Sequence, residues 1–258
     1  MKIDSISVII PSYHSRDLTI ICLKSLERFR PSDLNINYFV VENTEDVSYK
    51  DEVVSLAENV RWTNNNYVIG PDESGSSQNA SAIEISKEHI KDDFVFLAHC
   101  DVCVTNDTFF TTLFEKIEEN ELIGPLFDVC EERIGALHVS GLFMRTELMK
   151  KIDFFPRRID ENSRMDVGDA ATLYCRENDL KHYCLKNTYN NPEVESNITD
   201  DRFKEFKVVR CVDDESNVIF MHLGRGIPKT IGTYQKANGK RVYLEDWVKF
   251  CKEILNGK

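Results

Sequence analysis

The chain has 258 residues and no apolar run near the roughly 20 residues that a membrane-spanning helix needs. No membrane-spanning helix is therefore expected. Its N-terminus enters a strand pattern directly, without the apolar core of a signal peptide, so the expected compartment is the cytoplasm. Positive charge is also short. Lys and Arg number 32 against 44 Asp and Glu, a net charge of -12. A surface of that sign disfavours non-specific binding to nucleic acid or anionic membrane. One local basic loop around a phosphate remains compatible with it. The eight cysteines are scattered, mostly in apolar surroundings, and are expected to be free thiols in a reducing compartment. Cys100 and Cys103 form a C-x-x-C, but no second pair has zinc-ligand spacing, so a structural zinc site is not expected. No internal repeat, low-complexity tract or long linker interrupts the chain.

What is present is an ordinary globular composition, 41% hydrophobic and 29% charged, which excludes wholesale disorder. The length suits one domain over residues 1–258. A regular first part is expected over 1–105, a less regular second part over 106–230, and a C-terminal helix over 231–258. The first half alternates strands and helices. Ile6–Ile10 is a β-branched run ending at Pro11. Leu18, Cys22, Leu26 and Phe29 recur at helical spacing over 17–29. Tyr38–Val41 is a second strand, 51–58 a short helix and Val60–Thr63 a weaker strand. A polar loop, 64–77, feeds a helix over 78–90. Phe94–Ala98 is a continuous apolar run of the kind buried on both faces of a parallel sheet. This rhythm predicts βαβ units, an α/β fold and a mainly parallel sheet flanked by helices.

The second half is less regular. Strands are expected over Leu122–Phe127 and Leu137–Met144, and a short helix over Thr146–Lys151. A further helix is expected over Asp166–Asn178, then a strand over His182–Leu185. Asn187–Arg202 reads as a polar, mobile loop. Val218–Met221 is a strand ending in His222, before the basic loop Gly224–Lys229. The last helix carries Leu244, Trp247, Val248, Cys251 and Leu255 on one stripe. Trp62 and Trp247 are expected in the core.

Three consecutive strand ends carry polar residues: Pro11-Ser12-Tyr13, Glu42-Asn43 and His99-Cys100-Asp101. If those strands are parallel neighbours, their tips line one crevice, where open α/β sheets bind ligands. Singly, each is only the start of a loop. A histidine at a strand end is ordinarily a satisfied core group. Arg225 and Lys229 taken alone are two solvated cations on a turn. An acid in the first turn of a helix, such as Asp166 or Asp169, is favoured by capping and dipole alone.

Taken together, these segments resemble family 2 glycosyltransferases. The likeness lies in Ser7-Val8-Ile9-Ile10-Pro11-Ser12-Tyr13 with the helix after it, in Val40-Val41-Glu42-Asn43-Thr44, and in Asn66…Gly70…Asn79-Ala80. It extends to Phe96-Leu97-Ala98-His99-Cys100-Asp101, at the position of the family's D-x-D motif. It is strongest over residues 5–105 and weaker to about 226. The resemblance implies the Rossmann-like, type-A nucleotide-sugar-binding fold, with a nucleotide-sugar-binding half over 1–105 and an acceptor and catalytic half over 106–230. It also implies transfer of a sugar from a nucleoside diphosphate donor, with uridine or thymidine expected, to the hydroxyl of a carbohydrate or other acceptor, with inversion. Pro11, Ser12, Tyr13, Glu42, Asn43, Asn79, His99, Cys100 and Asp101 would contact the donor, and Arg225 and Lys229 its diphosphate. Asp101 and His222, with His99 beside them, would hold Mn2+ or Mg2+. Asp166, or Asp169 one turn on, would take the acceptor proton. The chain departs from the motif where His99 replaces the first acid. That keeps a second reading open, a sugar-nucleotide-binding module without turnover. A sugar-phosphate nucleotidyltransferase is disfavoured, because Pro11–Arg16 contains no glycine to cradle phosphate.

Overall fold

The computed structural model describes residues 2–71, 73–126, 134–189, 191–206, 208–224, 236–237 and 240–257. In chain order the elements begin with β1 (Ser5–Ser12), α1 (Arg16–Arg28), β2 (Asn35–Glu42), α2 (Lys50–Val54) and β3 (Val60–Asn64). Next come α3 (Gly75–Ser86), β4 (Phe94–Leu97), β5 (Val102–Val104), α4 (Thr108–Ile117), β6 (Leu122–Pro125), β7 (Leu142–Arg145) and α5 (Thr146–Lys151). The chain continues through β8 (Arg157–Arg158), β9 (Arg164–Met165), α6 (Asp169–Glu177), β10 (His182–Leu185), α7 (Pro192–Asn197) and α8 (Asp201–Glu205). It ends with β11 (Val209–Val212), β12 (Val218–His222), β13 (Lys236–Ala237), β14 (Lys240–Arg241) and α9 (Leu244–Leu255). These separate into two compact units.

The first unit comprises residues 1–14, 33–99 and 113–184. Its sheet has the order β10-β6-β7-β4-β1-β2-β3. The four strands β4, β1, β2 and β3 are parallel, and β7 runs antiparallel to both β4 and β6. With α3, α5 and α6 packed on it, this is the expected Rossmann-like, mainly parallel α/β fold. Ile9, Val95 and Leu97 meet Ala80 and Ile83 of α3 and Leu142 and Met144 of β7 in one buried cluster. β1 extends through Pro11 to Ser12 instead of stopping at Ile10. The reason is ladder geometry. The Ile9 carbonyl faces β4 and accepts the Ala98 N–H, and Leu97 is the last β4 residue paired with β1. The Pro11 nitrogen points to that same side, past the end of the ladder, so its missing N–H costs nothing.

The second unit comprises residues 15–32, 100–112 and 185–258. A three-stranded antiparallel sheet, β11-β12-β5, packs against α1, which in turn packs on α9. Ser25 of α1 accepts the Val104 N–H at 3.0 Å and donates to the Cys22 carbonyl at 2.8 Å, satisfying the β5 edge. Trp247 is buried and Phe250 stacks on Phe206, so the stripe of α9 does face inward. Burial pushes the Cys22 and Cys251 thiols well above the usual range, as befits core groups.

Several local expectations are corrected. The strand expected over Leu137–Met144 begins only at Leu142, because Val139–Gly141 form a 3-10 turn capped by His138. Asn187–Arg202 is not a loop. Asn191 caps α7, whose first residue is Pro192, and Asp200 caps α8 through the Arg202 N–H. Two of the Asn and Asp residues that suggested a loop, Asn191 and Asp200, are the caps. The helix expected over Asp166–Asn178 starts at Asp169, after Gly168 at φ 84°. A Cβ at Gly168 would lie 3.0 Å from Val139 Cβ, so glycine is required there twice over. Trp62 is only half-buried, its indole donating to Asn64.

Candidate functional site

The parallel register of β1 and β2 sets Ser12 opposite Glu42, and that of β2 and β3 sets Glu42 opposite Asn64. Ser12 and Glu42, two of the expected strand-end residues, therefore lie side by side, with Asn64 next to them. Glu42 is fully buried. Its Oε1 accepts the Thr44 hydroxyl at 2.7 Å and the His14 N–H at 3.1 Å, and its Oε2 accepts the Tyr49 hydroxyl. Tyr49 also lies 3.0 Å from the Ser12 hydroxyl. Tyr49 was not anticipated; an aromatic seven residues beyond an acid carries no recognisable signal.

Asn43 is buried beside Glu42 and is held by Asn65, whose Nδ2 donates to Asn43 Oδ1 at 2.7 Å. Asn65 is the buried member of the Asn64-Asn65-Asn66 run, whereas Asn66 is exposed. The sequence offered the run but not which residue turned inward. Asn79 is half-buried on α3, and its neighbour Gln78 is the one that donates to the Asn43 carbonyl, at 3.5 Å. Pro11 and Ser12 are buried and Tyr13 is half-buried.

In the second unit Asp101 is fully buried and His222 nearly so. The antiparallel register pairs His222 with Val102, the residue after Asp101. The side chains meet there, with His222 Nε2 3.4 Å from Asp101 Oδ1. Asp101 Oδ2 accepts the Gly224 N–H at 2.6 Å, and its carbonyl accepts the Leu223 N–H at 3.1 Å. Gly224 makes this turn at φ 80°, a conformation that favours glycine. Cys100 between His99 and Asp101 is buried. His99, Asp101 and His222 each offer one ligand atom, and the three atoms lie within 4.8 Å of one another. Two imidazole nitrogens and a carboxylate are a donor set that fits a divalent first-row ion. Arg225 and Lys229 lie outside the described residues.

Two further groups complete the description of the first unit. The His138 ring stands edge-on to His99, with centroids 5.5 Å apart. Its Nδ1 accepts the Ser140 N–H, so that nitrogen carries no proton and the neutral ring holds its proton on Nε2. Sequence reading passed over His138, because nothing local marks it. Asp166 is half-buried and accepts the Val167 N–H, while Asp169 is fully buried and accepts the Asp166 N–H at 2.8 Å.

No protein-family model and no curated protein matches the chain. Solved structures do. The glycosyltransferase GlyE of Streptococcus pneumoniae is 17% identical, with a TM-score of 0.49 over 97% of this chain and 62% of that one. The mannosyltransferase PcManGT of Pyrobaculum calidifontis, solved with GDP-Man and Mn2+, is 14% identical, with a TM-score of 0.45 over 57% of this chain and 46% of its own. The bifunctional IspDF of Campylobacter jejuni is 16% identical, with a TM-score of 0.43 over 70% and 49%. At these identities and TM-scores the likenesses carry no argument about activity. The chain spans about half the length of the solved structures it matches first.

Proposed function

We propose that the chain is a metal-dependent glycosyltransferase, moving a sugar from a nucleoside diphosphate to an acceptor hydroxyl with inversion. The observation that carries this reading is the group of His99, Asp101 and His222, whose ligand atoms lie within 4.8 Å of one another. It stands at the D-x-D position of the family the sequence resembles. On this reading residues 1–258 form one transferase domain. Pro11, Ser12, Tyr13, Glu42, Asn43, Asn79 and Cys100 surround the donor nucleoside, and Arg225 and Lys229 face its diphosphate. Asp101, His222 and His99 hold the ion. Their two imidazoles favour Mn2+ over Mg2+, since magnesium prefers an all-oxygen shell. A bound ion would supply Lewis-acid neutralisation of the leaving diphosphate.

Asp166 takes the acceptor proton as the hydroxyl oxygen attacks the anomeric carbon and the bond to the diphosphate oxygen breaks. It is preferred to Asp169 because it is half-exposed, whereas Asp169 is buried and occupied with the Asp166 N–H. The donor is a uridine or thymidine diphosphate sugar and the acceptor a carbohydrate or other hydroxyl compound. Donor turnover assayed with Mn2+, with Mg2+ and in EDTA tests the reading. Turnover with Mn2+ and none in EDTA is expected, and full activity in EDTA would overturn it. Asp166→Asn should lower turnover by about 10²–10⁴-fold with donor affinity kept. The same loss in Asp169→Asn alone would reverse the order of the two acids. His99 in place of an acid favours one other reading, a binding module. Donor binding without turnover on any acceptor would establish it.

A further inference from the structure

The Asn43 amide has its orientation fixed by groups that cannot turn around. Asn65 Oδ1 accepts the Tyr67 backbone N–H at 3.2 Å, and a backbone N–H can only donate. Asn65 Nδ2 donates to the Gln78 carbonyl at 3.3 Å, and a carbonyl can only accept. The Ser81 hydroxyl adds a second bond to Asn65 Oδ1 at 3.1 Å. Asn65 is thus anchored at both ends and presents Nδ2 to Asn43, whose Oδ1 must accept. That leaves the Asn43 Nδ2 amino group turned the other way, as a donor. It makes no hydrogen bond among the described residues, while the Asn43 backbone N–H donates to the Ser12 carbonyl and its C=O accepts from Gln78. The residue is buried, with 5% of its surface accessible. Its neighbour Glu42 is differently placed, with both oxygens already accepting from Thr44, His14 and Tyr49.

We propose that Asn43, rather than Glu42, selects the nucleobase. Its Nδ2 donates to an exocyclic carbonyl, C4=O of uracil or thymine or C6=O of guanine, and rejects the amino group that cytosine or adenine carries at the same place. This rests on the nucleotide-sugar reading above. The polarity is a consequence of the Asn65 anchor, because an unanchored amide would flip to suit either base. Two donors facing one another in an enclosed site leave both unpaired, which costs about 1–3 kcal/mol. That corresponds to about 5- to 150-fold in affinity.

Calorimetric titration of the full chain with UDP, CDP, GDP and ADP, at one fixed Mn2+ concentration, tests it. UDP is expected to bind at least about fivefold tighter than CDP, and GDP tighter than ADP. Asn43→Asp keeps an acceptor toward Asn65 and replaces the outward donor with an acceptor. Its added charge weakens all four nucleotides alike, so the UDP/CDP ratio isolates the base, and that ratio should invert. Asn43→Ala should bring the ratio toward one, and serves if the Asp variant does not fold. Equal wild-type affinity for UDP and CDP, or a ratio unchanged in the variants, would overturn the assignment and leave the transferase reading standing. Failure of all four nucleotides to bind would remove both.

Discussion

Glu42 in the first unit and Asp101 in the second are both fully buried acids at strand ends, yet their surroundings differ in kind. Glu42 is wrapped by donors that belong permanently to the protein: the hydroxyls of Thr44 and Tyr49 and the His14 N–H. Asp101 accepts the Gly224 N–H and faces the His222 imidazole. A hydroxyl or amide gives a carboxylate a fixed partner and makes it an organiser. An imidazole can hold a proton or a metal ion, so a carboxylate beside it is available to a ligand set. Burial of an acid therefore says little about function until the chemistry of its neighbours is known.

The largest expected effect tests the ligand side of this contrast. Asp101→Ala should weaken Mn2+ binding, followed by electron paramagnetic resonance, by more than about 100-fold, since changes beyond the ligands themselves already cost 10–100-fold. Unchanged Mn2+ affinity would dissolve the distinction. Glu42→Ala should lower stability to chemical denaturation by about 2 kcal/mol or somewhat more, because it strands buried donors. It should leave Mn2+ affinity unaltered; a parallel loss of metal binding would place Glu42 with Asp101 after all. His99→Ala should weaken Mn2+ by about tenfold, as the outermost of the three donors. No change would reduce the ligand set to Asp101 and His222. Smallest is Tyr49→Phe, about 1 kcal/mol of stability from one hydrogen bond. An effect on metal in place of stability would contradict its assignment to Glu42.

Legibility followed the range of the interactions concerned. β1, β2 and β4 were readable because β-branched apolar runs report burial directly. α1 and α9 were readable from their 3.6-residue periodicity. Asp101 and His222 stood out as polar residues ending apolar strands. Other features turned on partners distant in sequence. Asn65 rather than Asn66 turns inward because Asn43 and Ser81 receive it, 22 and 16 residues away. α7 and α8 were hidden by their own caps, since Asn191 and Asp200 serve turns and helix starts equally well. The start of α6 was missed because Gly168 at φ 84° detaches Asp166 from the helix.

By itself the sequence determined the alternation of strands and helices, the acidic surface and the polar character of the strand ends. Each of these depends on the residue types in a short window. Only the tertiary structure decided which groups surround the strand-end acids. The antiparallel register of β5 and β12 brings a histidine 121 positions away beside Asp101. Elsewhere, the Tyr49, Thr44 and His14 donors close on Glu42 and withdraw it from that kind of chemistry. A carboxylate takes its role from the groups within hydrogen-bonding distance, and pairing between distant strands and loops chooses those groups.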